Sequence, residues 1–170
     1  MYVWIDSLLP IFSENSHAST PKRGIHSAMQ RIIWIISDER NAYCMQIDVR
    51  KFFPSVDRTI LKEIVAYAVG EDNVVAIEIL NGIIDDAPDT GIPIGNLLSQ
   101  YFANLYLTPF DMWVEKSTDT ENRYMDDILL FGENSAVLHR LFREVEWYLK
   151  SVLNLDIKPN WQIFPVASRG

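Results

Sequence analysis

Residues Asn122 to Gly132 read NRYMDDILLFG, in which two adjacent carboxylates, Asp126 and Asp127, separate a short segment ending in Tyr124 from the apolar run Ile128, Leu129, Leu130 and Phe131. Strand-forming residues on both sides of a polar tip predict a β-hairpin. The acid pair itself is open to two readings. Asp is an ordinary turn residue, because its side chain bonds nearby backbone and tolerates unusual dihedrals. Two carboxylates at one tip also repel each other and raise at least one pKa unless a cation or a donor compensates, so the same pair can be a metal site.

A second acid bears on the choice. In QIDVRKFFPSVD, residues 46–57, Asp48 ends a strand expected over Tyr43 to Val49, with Ile47 and Val49 beside it. A carboxylate in that setting is exposed at the strand end, paired, or bound to metal, because isolated burial of its charge is too costly. If this strand lies next to the hairpin, Asp48 meets Asp126 at one end of the sheet. Two carboxylates from neighbouring strands make a hard oxygen site suited to Mg²⁺, which keeps waters and accepts substrate phosphates. A pair of such ions about 4 Å apart stabilises the attacking and leaving oxygens of an in-line phosphoryl displacement.

Elsewhere the hydrophobic pattern places helices. Ala28 to Ser37 is apolar and predicted helical; FPSVD is predicted to turn; Asp57 caps a helix through RTILKEIVAYAV, whose Ile60, Leu61, Ile64, Val65 and Ala68 form one stripe. Another helix is expected over Asn73 to Ile84, then a loop, DDAPDTGIPIG. NLLSQYFANLYLTPFDMWVEK is apolar almost all round, predicting a deeply buried helix that ends near Pro109 or continues past a kink there. Leu138, Leu141, Phe142, Val145, Leu149 and Val152 recur at helical spacing within Ser135 to Leu153, and LDIKPNWQIFPV reads as two short strands. This order predicts an α+β fold, an antiparallel sheet with helices packed on one face.

The chain has 170 residues, 48% of them hydrophobic, enough for one compact domain with a sizeable core, and shows no internal repeat or linker. Fifteen Lys and Arg against 23 Asp and Glu give a net charge of −8, which argues against a polynucleotide partner. The cations are uneven, however: Lys22, Arg23 and Arg31 fall early, and Arg50, Lys51 and Arg58 follow Asp48, leaving room for a local basic groove. The single cysteine, Cys44, sits in an apolar run as a small buried hydrophobe, which fits a reducing compartment. MYVWIDSLLPIF has no basic leader and no apolar run nears the roughly 20 residues that span a membrane, so a cytoplasmic protein without a membrane partner is expected.

Three ordered segments, IDVRKFFPSVD, GIPIGNLLSQYFANLYL and YMDDILLFG, resemble the palm of a reverse transcriptase, and the resemblance covers almost the whole chain. It implies an RNA-directed DNA polymerase that uses dNTPs on an RNA template with a DNA or RNA primer. It also implies two Mg²⁺ ions, for which Mn²⁺ can substitute. Carried over residue by residue, it makes Asp48 and Asp126 the main metal ligands and Asp127 the third acid, with the Val49 carbonyl completing one metal shell. Phe53 matches the aromatic that lies under the incoming sugar and clashes with a ribose 2′-OH, against the plainer reading of a core aromatic beside Phe52. Lys22 and Arg23 fall where such enzymes bring cations to the triphosphate, although Thr20 stands where many relatives have arginine; a solvated basic loop is the alternative. Ile94 and Gly95 fall beside the nucleotide. His26 matches the family pattern, whereas His17 and His139 read as surface residues. Lys158 aligns loosely with a proton donor to the leaving group, and more simply reads as an exposed turn lysine.

Residues 1–42 then correspond to partial fingers and 43–170 to the palm, with the thumb absent, so the chain reads as a fragment. IPIGNLLSQ and KPNWQIFPV resemble the reverse transcriptases of diversity-generating retroelements of phages and bacteria, which copy a template RNA with frequent errors at adenines and can work with an accessory protein. Ile94 stands where many reverse transcriptases have Gln; it packs but cannot hydrogen-bond, which would police base-pair geometry less tightly. A group II intron or retron reverse transcriptase remains as the alternative with the same chemistry. From another class there is a catalytically silent, truncated domain that binds RNA or a partner protein. A nucleotide cyclase would lack the second segment.

Overall fold

The computed structural model describes residues 11–86, 90–93, 97–118 and 120–166. In chain order these form α1 (Ile25–Ile36), β1 (Tyr43–Asp48), the single turn α2 (Phe52–Ser55), α3 (Arg58–Val69), α4 (Val74–Asp85), α5 (Leu97–Val114), β2 (Glu121–Tyr124), β3 (Asp127–Gly132), α6 (Ser135–Ser151) and β4 (Gln162–Pro165). The four strands make one antiparallel sheet in the order β2-β3-β1-β4.

Successive side chains of a strand point to opposite faces, and the sheet follows this closely. Met45 and Ile47 of β1, Ile128 and Leu130 of β3 and Ile163 of β4 join the main core; Cys44, Phe131, Leu129 and Phe164 form a smaller cluster on the other side. The main helical layer lies on the first face, as the hydrophobic pattern predicts. α1 adds a contact on the second face, where Ile35 packs with Cys44 and Phe131.

Local chemistry explains the helix ends and their docking. The Asp57 side chain accepts from the amides of Thr59 and Ile60, and that of Asn134 from the amide of Val137, so each relieves donors that the first turn leaves unpaired. α5 runs through Pro109 as one helix. The Thr108 hydroxyl donates to the Asn104 carbonyl and Tyr148 Oη to that of Pro109, supplying polar partners around the break in the helical ladder. Trp113 stacks on Tyr148 with centroids 4.6 Å apart, fastening α5 to α6. Tyr106 Oη donates to the Leu153 carbonyl and accepts from the Asp57 amide, which ties the end of α6 to the start of α3.

Three expectations change. The first three residues of FPSVD belong to a helical turn, Phe52–Ser55, entered through Lys51 at φ 46°, and only Val56 and Asp57 are extended. Of the two C-terminal strands only β4 forms; Ile157 makes a single bridge with Val49, and Pro159, lacking an amide proton, cannot extend the ladder. His17 is buried, not on the surface. The segment around Ser16 lies along the outer edge of β2, with the His17 amide donating to the Arg123 carbonyl and the Arg123 amide to that of Asn15. Burial, then the charges of Arg23, Arg31 and Arg123, pull the His17 pKa from 6.5 to about 4.

The loop before α5 is fixed to α2 by close backbone approach. Ile92 donates its amide to the Phe53 carbonyl at 3.1 Å, and Arg58 Nε donates to the Gly91 carbonyl at 2.7 Å. Gly91 has φ 77°, and a Cβ there would stand 2.0 Å from the Phe53 oxygen, so only glycine fits.

Two outcomes follow. Because unfolded His17 takes a proton before the folded form does, stability is full above pH 6.5 and declines as the pH falls through about 4. In denaturant titrations across that range, His17→Gln removes a pH-dependent loss of roughly 1–3 kcal/mol. Gly91→Ala lowers the unfolding free energy at neutral pH by about 1–3 kcal/mol, since either the left-handed loop or the α2 backbone must shift; urea unfolding measures it.

Candidate active site

The carboxylates gather at one end of the sheet. In the β1–β3 register Asp127 stands directly opposite Asp48, and the β2–β3 pairing closes at Tyr124 and Asp127, leaving Met125 and Asp126 as a two-residue tip. Asp126 is thus one residue beyond the acid that faces Asp48. Met125 has φ 55°, a left-handed conformation that a large side chain rarely takes. By strand alternation Asp48 and Asp127 lie on the face of Cys44, Gln46 and Leu129, away from the main helical layer.

Asp48 has two differently placed oxygens. Oδ2 accepts from Lys158 Nζ at 2.5 Å, whereas Oδ1 is buried with no hydrogen-bond partner among the described residues. The Lys158 amide also donates to the Asp48 carbonyl, so the loop after the Ile157 bridge presents its ammonium group to the acids. Burial raises the pKa of Asp126, helped by the charge of Asp48, against the pull of its own amide, Lys158 and Arg123. Asp127 is raised by burial, then by Asp48 and Asp126. The Asp48 contact raises that of Lys158.

Val49 is positioned by its bridge. Arg50 donates its amide to the Asp156 carbonyl and Lys158 to that of Asp48, so the pair Val49–Ile157 lies between these bonds. In such a pair the central residues turn their own N–H and C=O away from each other. The Val49 carbonyl is therefore directed to the hairpin side.

These residues fit a hard divalent cation held on one side only. Three acids face one ammonium group, and the orphaned Asp48 Oδ1 is a buried anionic oxygen in need of a positive partner. Among the described residues no three His, Cys, Asp or Glu side chains close into a ready cage. Mg²⁺ does not need one, since it is held by one or two carboxylates with water and substrate phosphates completing its shell.

Other residues named from the sequence fall as follows. Phe52 is buried and Phe53 half-buried, meeting edge to face with centroids 5.7 Å apart, so Phe53 keeps part of its ring accessible. Lys22 is exposed, at φ 64°. Arg23 is half-buried and its Nη1 donates to the carbonyls of Ser13 and Ser16, so its guanidinium anchors the segment before it. Thr20 is buried and bonds the Ala18 carbonyl; His26 and His139 are exposed. Ile94 and Gly95 lie outside the described residues.

Sequence reasoning passed over a buried ionic group under the tip. Glu121 and Arg123 project from the core face of β2 and are 0% and 1% exposed. Arg123 donates through Nε and Nη2 to both oxygens of Asp111 on α5, and through Nη1 to Asn104 Oδ1 and to the Met125 carbonyl at 2.8 Å. The available signal was Asp111 itself, a charge inside an otherwise apolar helix that requires a partner.

Comparison with known proteins places this geometry. A search of curated protein sequences finds no match. Among solved structures, apo telomerase from Candida tropicalis superposes with a TM-score of 0.76 at 13% identity, covering 99% of this chain and 36% of that one. Telomerase from Candida albicans in complex with a fragment of telomeric RNA gives 0.71 at 10% identity, covering 96% of this chain and 34% of the other. This chain thus spans about a third of the structures it matches, and at such identities the likeness concerns the fold. The family described as reverse transcriptase (RNA-dependent DNA polymerase) matches residues 3–161, so the chain belongs to the reverse transcriptase family.

Proposed function

We propose that the chain is the palm with partial fingers of an RNA-directed DNA polymerase, which extends a DNA or RNA primer along an RNA template with dNTPs. The observation that carries this is the buried, unpartnered Oδ1 of Asp48 beside Asp126 and Asp127 on the face of the sheet away from the main helical layer.

Asp48, Asp126 and the Val49 carbonyl are the groups that would hold metal, with Asp127 as a further anion. Two Mg²⁺ ions, or Mn²⁺ in their place, supply when bound a Lewis acid for the attacking 3′-oxygen and charge neutralisation for the leaving pyrophosphate. The protein holds the acids on adjacent strands, where their mutual repulsion favours a bound cation. Phe53, fixed through its carbonyl to Ile92, sets a wall against a ribose 2′-OH. Lys22 offers its charge to the triphosphate, and the family resemblance assigns Ile94 and Gly95 to the nucleotide. Copying is error-prone, as in diversity-generating retroelements, because Ile94 only packs; a retroelement accessory protein is then a further partner. No described helix is long and apolar enough to cross a membrane, and we place the activity in the cytoplasm.

Primer extension on an RNA template tests the reading. The chain incorporates dNTPs with Mg²⁺ or Mn²⁺, and Asp126→Asn lowers the rate by on the order of 10³-fold with folding retained by circular dichroism. A folded chain without incorporation identifies a silent palm. In the same assay Phe53→Val weakens discrimination against rNTPs by roughly 10–100-fold while dNTP incorporation changes little; unchanged selectivity would return Phe53 to the core.

A further inference from the structure

The hairpin tip carries an acid on a backbone that its sequence does not favour. Met125 is left-handed at φ 55°, and Gly or Asn, the residues suited to that conformation, are absent from the tip. Strain of this kind persists where surrounding structure over-determines it. Two contacts reach the strained residue: its side chain packs against the main core, and Arg123 Nη1 donates to its carbonyl, the one that fixes the backbone directly.

Arg123 is itself fixed by three hydrogen bonds to two side chains. Its two-pronged contact with Asp111, at 2.7 and 2.6 Å, is completely buried, and Asn104 accepts a further bond. Asp111 and Asn104 both stand on α5, which packs into the main core through Phe102, Leu105, Tyr106 and Phe110. Glu121 lies beside Asp111, and burial with the charge of Asp111 raises its pKa well above the usual carboxylate range, so Asp111 is the carboxylate that holds Arg123 by hydrogen bonds. The guanidinium therefore acts as a rigid strut from the core helix to the tip.

We propose that Arg123 is a positioning residue of the polymerase centre: seated on Asp111 and Asn104 of α5, it holds the Met125 carbonyl and so fixes the left-handed turn that places Asp126 beside Asp48. The proposal rests on the polymerase reading only for its kinetic consequence; the effect on the tip stands apart from it.

A merely structural ion pair makes a different prediction. Buried pairs replaced together by apolar residues of similar volume often leave stability unchanged or raise it. Such a replacement here keeps the packing but removes the donor to Met125. The test uses the full chain carrying Arg123→Met, Asp111→Leu and Glu121→Leu together, and separately Arg123→Lys, whose compact ammonium keeps the charge but lacks the planar fork that spans Asp111 and Met125. Amide hydrogen exchange gives the tip, and primer extension at varied dNTP and Mn²⁺ gives the kinetics. For whichever variant folds, exchange at Met125, Asp126 and Asp127 rises at least about tenfold relative to Met45 and Leu130. The kcat falls on the order of 10²-fold with KM for dNTP nearly unchanged, and higher Mn²⁺ restores part of it. Tip exchange that follows the rest of the sheet, or activity lost only in proportion to the folded fraction, overturns the proposal. If the unmodified chain incorporates no dNTP, the polymerase reading fails while the exchange comparison still decides the role of Arg123.

Discussion

Pairing of β1 with β3 is the constraint on which the rest depends. One register sends Met45, Ile47, Ile128 and Leu130 into the helical core and brings Asp48 level with Asp127. A slip of one residue would turn every side chain over, exposing the apolar set and driving the acids inward. The hydrophobic face is thus what fixes the acids on the other face. Fold stability and site geometry share one determinant, and the acids need contribute nothing to folding to be held in place.

They in fact oppose it. Three carboxylates at one strand end repel, and partial burial strengthens that repulsion. Compensation comes from two directions. Lys158 reaches Asp48 from the loop between the Ile157 bridge and β4, and Arg123 reaches the tip from below while its own charge is met by Asp111. The chain's net charge of −8 thus coexists with three clustered acids because a cation, Lys158 or Arg123, reaches them from another part of the fold.

Most of the architecture was legible because its signals are local and periodic. The stripe Leu138, Phe142, Val145 and Leu149 is buried as its spacing requires, Asp57 caps its helix, and the hairpin forms, although its tip is Met125 and Asp126 rather than the two acids. What escaped was set by contacts distant in sequence. His17 looked like a surface residue because the stretch around it is mostly polar; it is buried by pairing with β2, more than a hundred residues along the chain. Arg123 and Glu121 alternate as polar residues of a half-exposed strand should, yet they face inward because Asp111 waits on α5. The opposite acids were readable as a pair, but not that Asp127 rather than Asp126 would stand level with Asp48. Register follows from loop length, and the sequence alone did not show that the loop holds only two residues.

The position of the mismatches is itself informative. A sequence whose local preferences agree everywhere with its fold has no reason to put methionine at a left-handed tip, a charge inside an apolar helix, or two ionisable groups on the core face of a short strand. Here all three meet within one network, Asp111–Arg123–Met125, with Glu121 beside it. A purely structural account would leave an apolar core and a glycine turn as the simpler solution. Their convergence directly beneath Asp126 makes sense if the tip must be rigid rather than merely closed: two oxygens on adjacent strands define a metal position only as well as the backbone between them is held, and a glycine turn would close the hairpin without holding it.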